Sequence, residues 1–452
     1  MKTTLLVLLL SFSVFQAHAL EKFKNGAPFF AQQDTTLPRN ILLLSFQGGP
    51  AAVSPAQQGN FLLLSEALNE GPSDRSLKEY KQELFNLGAE VSFRADNNAF
   101  QIVVKAPPAE MDKVLVLLKQ TLEKPRTSEE DFKRFQGNVL AGVKSGFEDM
   151  RSVIFYFAPR DLLSYSAQTR SGDTSPTSFE KLTYDDFKSS FSALNYQRLF
   201  ASYIGPQATK EVRTKIETTF KNELQKPYKK WALETTSVPK LKKNTYTIVD
   251  KPGATDNQVV YLYPQSVRRD GPQWVNAMVN MDVLGGGLHG HLGRTLRTER
   301  GLTYGAMSWF SKTTLPVWMA WTFGGVEQTK GLITGVPEVV GKYVAGPLTA
   351  TELAESKGRL LNSMGTDLEL AKDRLLTQSW HYANGLNPQV VDQYVKMLDN
   401  TKLADVTKFK NTLSSKAAAV YMMGDQTKLI PILESIGVPK SEIRVVKVTD
   451  IL

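Results

Sequence analysis

The sequence contains no cysteine. That single absence excludes disulfides, thiol nucleophiles, thiolate metal ligands and a lipid anchor on an N-terminal cysteine. Histidine is scarce: His18, His289, His291 and His381 are all there is. Long apolar runs are missing as well. The longest lies at positions 5–15. A helix that spans a bilayer must cover roughly 20 residues, so this run is too short. No aromatic-studded basic patch suggests a nucleic-acid groove, although the formal charge is +9. The remaining composition, 42% hydrophobic and 22% charged, is that of an ordinary globular protein.

The N-terminus reads as an export leader. Lys2 is the early positive charge, the apolar run follows, and Ala17-His18-Ala19 supplies a small-x-small cleavage site. The expected product starts near Leu20, is soluble and lies outside the cytoplasm, most simply in a bacterial periplasm. Without disulfides it must be held by its core. About 430 residues suffice for that, normally divided among domains.

Six lysines (226, 229, 230, 240, 242 and 243) and two prolines (227 and 239) fall in one segment. This reads as a solvated linker, and it divides the chain into similar halves. In the first, ILLLSFQGG (41–49) is an apolar strand and QGNFLLLSEALNEG (58–71) a helix stopped at Gly71. LKEYKQELFNLGAE (77–90) is a second helix with its stop at Gly88. VSFRADNNAFQIVVKA (91–106) is a hairpin turning at Asn97-Asn98, and 107–122 is an amphipathic helix behind two prolines. The second half repeats the order. QVVYLYPQS (258–266) is the strand, 271–287 a helix with a glycine stop, and HLGRTLRTERG (291–301) a helix stopped at Gly301. Residues 302–310 and 317–325 form the hairpin, and 326–344 the next helix.

The ends of the halves match too. LTYDDFKSSFSALNYQRLFASYIG (182–205) mirrors TKLADVTKFKNTLSSKAAAVYMMG (401–424). The step from Gly205 to Gly424 nearly equals the step from Gly71 to Gly287. A nearly constant offset, here roughly 220 residues, marks an internal duplication. The expected fold class is α+β, with two homologous halves, each a mainly antiparallel sheet covered by helices. The expected boundaries are leader 1–19, N-terminal domain 20–228, linker 229–243 and C-terminal domain 244–452.

LGGGLHGHLGRTLRTERGLTYG (284–305), together with the duplication and the leader, resembles the pitrilysin/insulinase-type zinc peptidases. That family includes the mitochondrial processing peptidases and bacterial two-subunit enzymes. The resemblance covers essentially the whole mature chain and implies a clam-like arrangement of the halves. In the family an inverted H-x-x-E-H motif on the first helix of the N-terminal half holds zinc, the glutamate activating water. Here the matching positions are Leu62, Ser65 and Glu66, and none can do that work. The segment matching the downstream glutamate ligand, GNVLAGVKSG (137–146), has no acid. The resemblance therefore implies a subunit that is inactive alone, with no metal held in this chain.

The C-terminal half keeps the family's other element, an arginine and a tyrosine, at Arg297 and Tyr304. In the family they reach toward the zinc site of the other half or of a partner subunit. An arginine fork and a phenol donor suit a substrate carbonyl that turns into an oxyanion. The ordinary reading is an arginine at the negative end of a helix and a tyrosine packing at a strand start. Gly285, Gly286 and Gly287 read either as a helix stop or as a substrate-handling loop approached closely by another chain. His289 and His291 are two apart and could chelate only from a loop, without an evident third ligand. His381 reads as a packed or surface histidine. Trp309, Phe310, Trp318 and Trp321 read as sheet covering, with an aromatic cavity wall as the alternative.

The expected function is a non-catalytic, substrate-positioning subunit of a heteromeric zinc metallopeptidase. Its partner would carry the zinc motif and its substrate would be a peptide or unfolded segment, bound by strand addition to a sheet edge. The alternative is a pseudopeptidase that binds peptides or scaffolds an assembly, for example as a homodimer.

Overall fold

The computed structural model describes residues 19–452 apart from 171, 172, 312 and 314, and the side chains at 19 and 365–369 aside. The leader thus lies outside the described residues, except for Ala19. Two six-stranded sheets dominate. The first holds β1 (Ala19–Lys22), β2 (Pro28–Gln33), β3 (Asn40–Gln47), β4 (Glu90–Asp96), β5 (Ala99–Ala106) and β6 (Leu199–Gly205). The second holds β7 (Thr245–Asp250), β8 (Asp256–Tyr263), β9 (Ala306–Phe310), β10 (Trp318–Gly325), β11 (Ala419–Gly424) and β12 (Ile443–Lys447).

The strand orders are β1-β2-β6-β3-β5-β4 and β12-β7-β11-β8-β10-β9. Without the first member the two orders coincide, so the duplication is real at the level of topology. β2–β6 and β7–β11 pair parallel, while the central strands pair antiparallel to both neighbours. The sixth strand differs. β1 precedes its sheet and lies antiparallel to β2, whereas β12 comes from the chain end and runs parallel to β7.

Central strands are apolar on both faces because helices cover both. In the first half, α1 (Asn60–Asn69), α2 (Leu77–Asn86) and α3 (Met111–Glu123) follow β3 and the hairpin. Leu42, Leu44 and Phe46 of β3 pack with Phe61, Leu64, Leu68, Leu84, Leu115 and Leu118 of these helices. Leu43, on the opposite face, meets Ala371 and Leu375 of the helix Ala371–Ala383, which belongs to the second half. The reverse exchange also occurs. After α4 (Glu129–Gly146), α5 (Met150–Leu162) leaves the first half. Its Val153, Ile154, Phe157 and Ala158 pack on Val260 and Leu262 of β8 and on Tyr421 and Met423 of β11. The other face of β8 carries Val259, Tyr261 and Tyr263, which join the core of the second half's own helices. Strand residues alternate between faces. A continuous apolar run thus reports a strand clothed on both sides, here by one home helix layer and one helix received from the other half.

The lysine-rich segment behaves as a connector. Residues 227–241 form neither helix nor strand, and all six lysines are exposed. Tyr228 and Trp231 nevertheless tie it to the first sheet by donating to Gln47 Oε1 at 2.8 and 3.2 Å.

Candidate functional site

The segment before β9 is built by one unusual helix end. Residues Gly293–Glu299 form a π-helix. Arg300 N–H donates to the Thr295 carbonyl at 3.1 Å, Gly301 N–H to that of Arg297 at 3.1 Å and Leu302 N–H back to that of Leu296 at 2.8 Å. This is a glycine-terminated helix closure widened by about one residue. Gly301 has φ 62°. It supplies the left-handed backbone that the reversal needs. Leu296 and Leu302 anchor it in the C-terminal core. The strand then starts at Ala306 rather than at 302, because Thr303 turns the chain first. Its hydroxyl accepts the Gly305 N–H at 3.0 Å and donates to the Gly305 carbonyl at 2.9 Å, and the Thr322 hydroxyl holds that carbonyl at 3.1 Å.

Tyr304 sits on this pinned turn, not on the strand, and is 82% exposed. Arg297 projects beside it from the π-turn. Its Nη1 donates to the Tyr304 carbonyl at 3.0 Å, so the two residues form one unit. The neighbouring arginines meet carboxylates: Arg294 lies 3.8 Å from Glu299, and Arg300 donates to both oxygens of Glu338 at 2.8 and 2.9 Å. Arg297 pairs with no carboxylate among the described residues, and the Tyr304 hydroxyl has no partner among them. The structure therefore brings the two expected site residues together on the surface, cation and phenol both available. Met307 and Leu288 add exposed apolar surface nearby in sequence. β9 is one edge strand of its sheet, as β4 is of the other.

Each member of the glycine run has its own steric reason. A Cβ on Gly285 would stand 2.1 Å from the Ser308 N of β9, so the helix Pro272–Gly285 can cross that strand only with glycine there. Gly286 ends the helix, its N–H donating to the Asp282 carbonyl at 2.7 Å. Gly287 is left-handed (φ 66°) and open to its surroundings.

His291 Nε2 lies 2.6 Å from Glu352, and its ring packs edge-on to Tyr343. Glu352 at the same time caps the helix Ala350–Glu369 through Thr349. His289 is exposed. Among the described residues no three acidic or histidine side chains gather as metal ligands. His381 is buried; Nδ1 donates to the Thr377 carbonyl at 2.8 Å, Nε2 lies 2.8 Å from the Tyr394 hydroxyl, and burial lowers its pKa. The aromatic group covers the sheet. Trp318 stacks on Tyr263 with centroids 4.2 Å apart and donates to Ser308, Trp321 donates to Gln258, and Trp309 meets Phe155 of α5 edge-on.

The positions matching zinc ligands do not fit the ion. Leu62 packs against an apolar cluster that contains Leu63, Phe132, Phe135 and Phe187. Val139, Leu140 and Val143, from the segment matched to the downstream ligand, pack against the same cluster. The Ser65 hydroxyl donates to the Phe61 carbonyl at 2.7 Å. Glu66 alone offers a carboxylate, and one carboxylate does not make a zinc site.

A feature not anticipated from the sequence is a cavity of about 300 Å³ lined by the loop after β3, the start of α1 and residues 189–198. Only its Gly48-Gly49 pair, with φ of 118° and 45°, marks it in the sequence.

Residues 181–360 match the peptidase M16 inactive domain family. No curated protein matches the sequence. The fold is similar to the crystal structure of a peptidase M16 inactive domain from Pseudomonas fluorescens: TM-score 0.77, 17% identity, 91% of this chain and 98% of that one covered. It is similar to a protease from Helicobacter pylori, with TM-score 0.74 and 16% identity over 90% of this chain and 99% of that one. The periplasmic protease PqqL from Escherichia coli matches with TM-score 0.69 and 13% identity over 91% of this chain but 46% of its own length. The match to the peptidase M16 inactive-domain family thus covers residues 181–360, and the fold around them, over most of the chain, is the one seen in these structures.

Proposed function

We propose that the chain is the substrate-positioning, non-catalytic subunit of a heteromeric zinc peptidase, exported, and paired with a subunit that carries the zinc motif. The observation that carries this reading is the Arg297–Tyr304 unit: a guanidinium without a carboxylate and a phenol without a partner among the described residues, held together on a stiff turn. A structural arginine at this helix end would be expected to find an acid, as Arg294 and Arg300 do. The zinc and its activated water belong to the partner. This chain's contribution is to hold a peptide and aim two donors at its carbonyl. β9, directly after Tyr304, is an edge strand. Its outer backbone groups suit strand addition by an extended peptide. The apolar packing of Leu62 with the cluster around Phe132 supports inactivity of the chain on its own. Among the described residues no helix is long and apolar enough to cross a membrane.

The test is reconstitution with an H-x-x-E-H subunit co-purified from the native source. Arg297→Ala and Tyr304→Phe should each lower peptide hydrolysis by roughly 10²-fold while the complex stays intact on gel filtration, the scale for losing an oxyanion donor. A scaffold without a zinc-bearing partner is the second reading. The Arg297 bond to the Tyr304 carbonyl favours it, since the same bond would serve a purely structural turn; in that case no active subunit co-purifies.

A further inference from the structure

The cavity beside α1 is lined by polar and apolar groups in similar measure, and its polar groups are incompletely satisfied. Gln47, at the end of β3, is 2% exposed. Its Oε1 is taken by Tyr228 and Trp231, but its Nε2 is fully buried with no partner among the described residues. Asn60, the first residue of α1, is 3% exposed and its Oδ1 is likewise buried and unpartnered. Burying such groups unpaired is costly, and so calls for a ligand or water to meet them. Arg198 is the one charged side chain among the described residues lining the cavity, and it makes no ion pair with any described residue. Its Nη1 lies against Gly48, where a Cβ would come within 3.3 Å of it. Two lining serines are already engaged: Ser189 donates to the Asp186 carbonyl and Ser190 to that of Phe187. The N-terminus of α1 adds to the positive character. Its N-cap Gly59 offers no side-chain cap.

A free cation, a free amide donor and a free amide acceptor in one small cavity suit a ligand that is anionic at one end and carries an N–H next to it. The cavity also has a defined place along the sheet. Gly48 and Ala51 donate to the carbonyls of Asn98 and Asn97, so the lining loop is bonded to the turn that ends β4, one edge strand of the first sheet. We infer that this cavity binds the C-terminal carboxylate end of a peptide. Arg198 and Gln47 Nε2 meet the carboxylate, and Asn60 Oδ1 accepts the N–H of the last residue. The inference rests on the peptide-handling part of the reading above and names the chemical end that is recognised.

The experiment is calorimetric titration of the full chain with acetyl-Ala-Ala-Phe as free acid and as C-terminal amide, with acetate as a competitor. The free acid should bind at least about tenfold more tightly than the amide, the scale of one charge-assisted contact. Arg198→Gln should abolish the preference without changing the melting temperature, since its guanidinium makes no ion pair with any described residue. Arg198→Lys should keep part of it. Asn60→Asp should weaken the acid selectively by repulsion. Equal binding of acid and amide, an unchanged preference in Arg198→Gln, no binding of either peptide, or displacement by acetate at the peptide's own concentration would each overturn the inference. The readout needs no partner and no hydrolysis. Failure here with intact Arg297 and Tyr304 effects sinks only the cavity; the reverse outcome sinks only the heteromeric role.

Discussion

Phe157 to alanine tests the exchange of helices between the halves. Phe157 belongs by sequence to the first half, yet it is 3% exposed and sits on the second sheet, its ring 5.9 Å from that of Tyr421 at 84°. Around it lie Val153, Ile154, Val260, Leu262 and Met423. A Phe→Ala change in such a setting costs about 3–5 kcal/mol through lost transfer energy and the residual cavity. That is a large part of the roughly 5–15 kcal/mol typical of a folded protein. The cost should fall first on the sheet that α5 covers. Hydrogen exchange followed by mass spectrometry reads it: amides of β8 and β11 should exchange about 10²- to 10⁴-fold faster in the variant, if opening is limited by that sheet. Leu375, on the helix given in return, packs against Leu43 of β3 and Ile204 of β6. Leu375→Ala should cost about 2–5 kcal/mol and loosen β3 and β6 instead. Faster exchange confined to β3 and β6 in Phe157→Ala, or a loss below about 1 kcal/mol, would refute the reasoning.

Two other outcomes follow from the geometry around the site. Gly285→Ala must push the helix Pro272–Gly285 off β9, because the new Cβ meets backbone atoms. Chemical denaturation should show a loss of about 1–3 kcal/mol or more. Burial holds the His381 pKa below its ordinary value. The unfolded chain therefore takes up the proton first as pH falls, and stability declines below about pH 6.5. Melting temperatures measured downward from neutral pH should fall less steeply in His381→Asn than in the native protein, relative to each one's value at neutral pH; equal slopes would remove His381 from the account.

The glycine stops were legible in the sequence because they are local. Gly71, Gly88, Gly287 and Gly301 all adopt positive φ, and the hairpin turns at Asn97-Asn98 as its sequence demands. The duplication was legible because its spacing survives, and the two strand orders repeat it. What could not be read was non-local. The run ILLLSF signals a strand covered on both faces. It does not signal that Leu43 is covered by a helix from the other half of the chain. The edge strands β1 and β12 break the repeat, since each comes from the chain beyond the duplicated core. Gly285 reads in the sequence as part of a helix stop or a substrate-handling loop and is a packing requirement set by β9. The site itself was half legible. Arg297 and Tyr304 could be picked out from their surroundings, but the π-turn and the Thr303 pin that present them could not. The cavity beside α1 escaped because its polar residues come from segments scattered along the chain.

The central claim is that Arg297 and Tyr304 act on a substrate held at another chain's zinc. The most direct measurement is kcat/KM for peptide hydrolysis by the reconstituted complex carrying native chain, Arg297→Ala, Tyr304→Phe and the double variant. The account predicts a loss of roughly 10²-fold for each single change with complex formation intact. It also predicts a double variant less than additive, because the two residues work as one unit. Full activity in both single variants would contradict it.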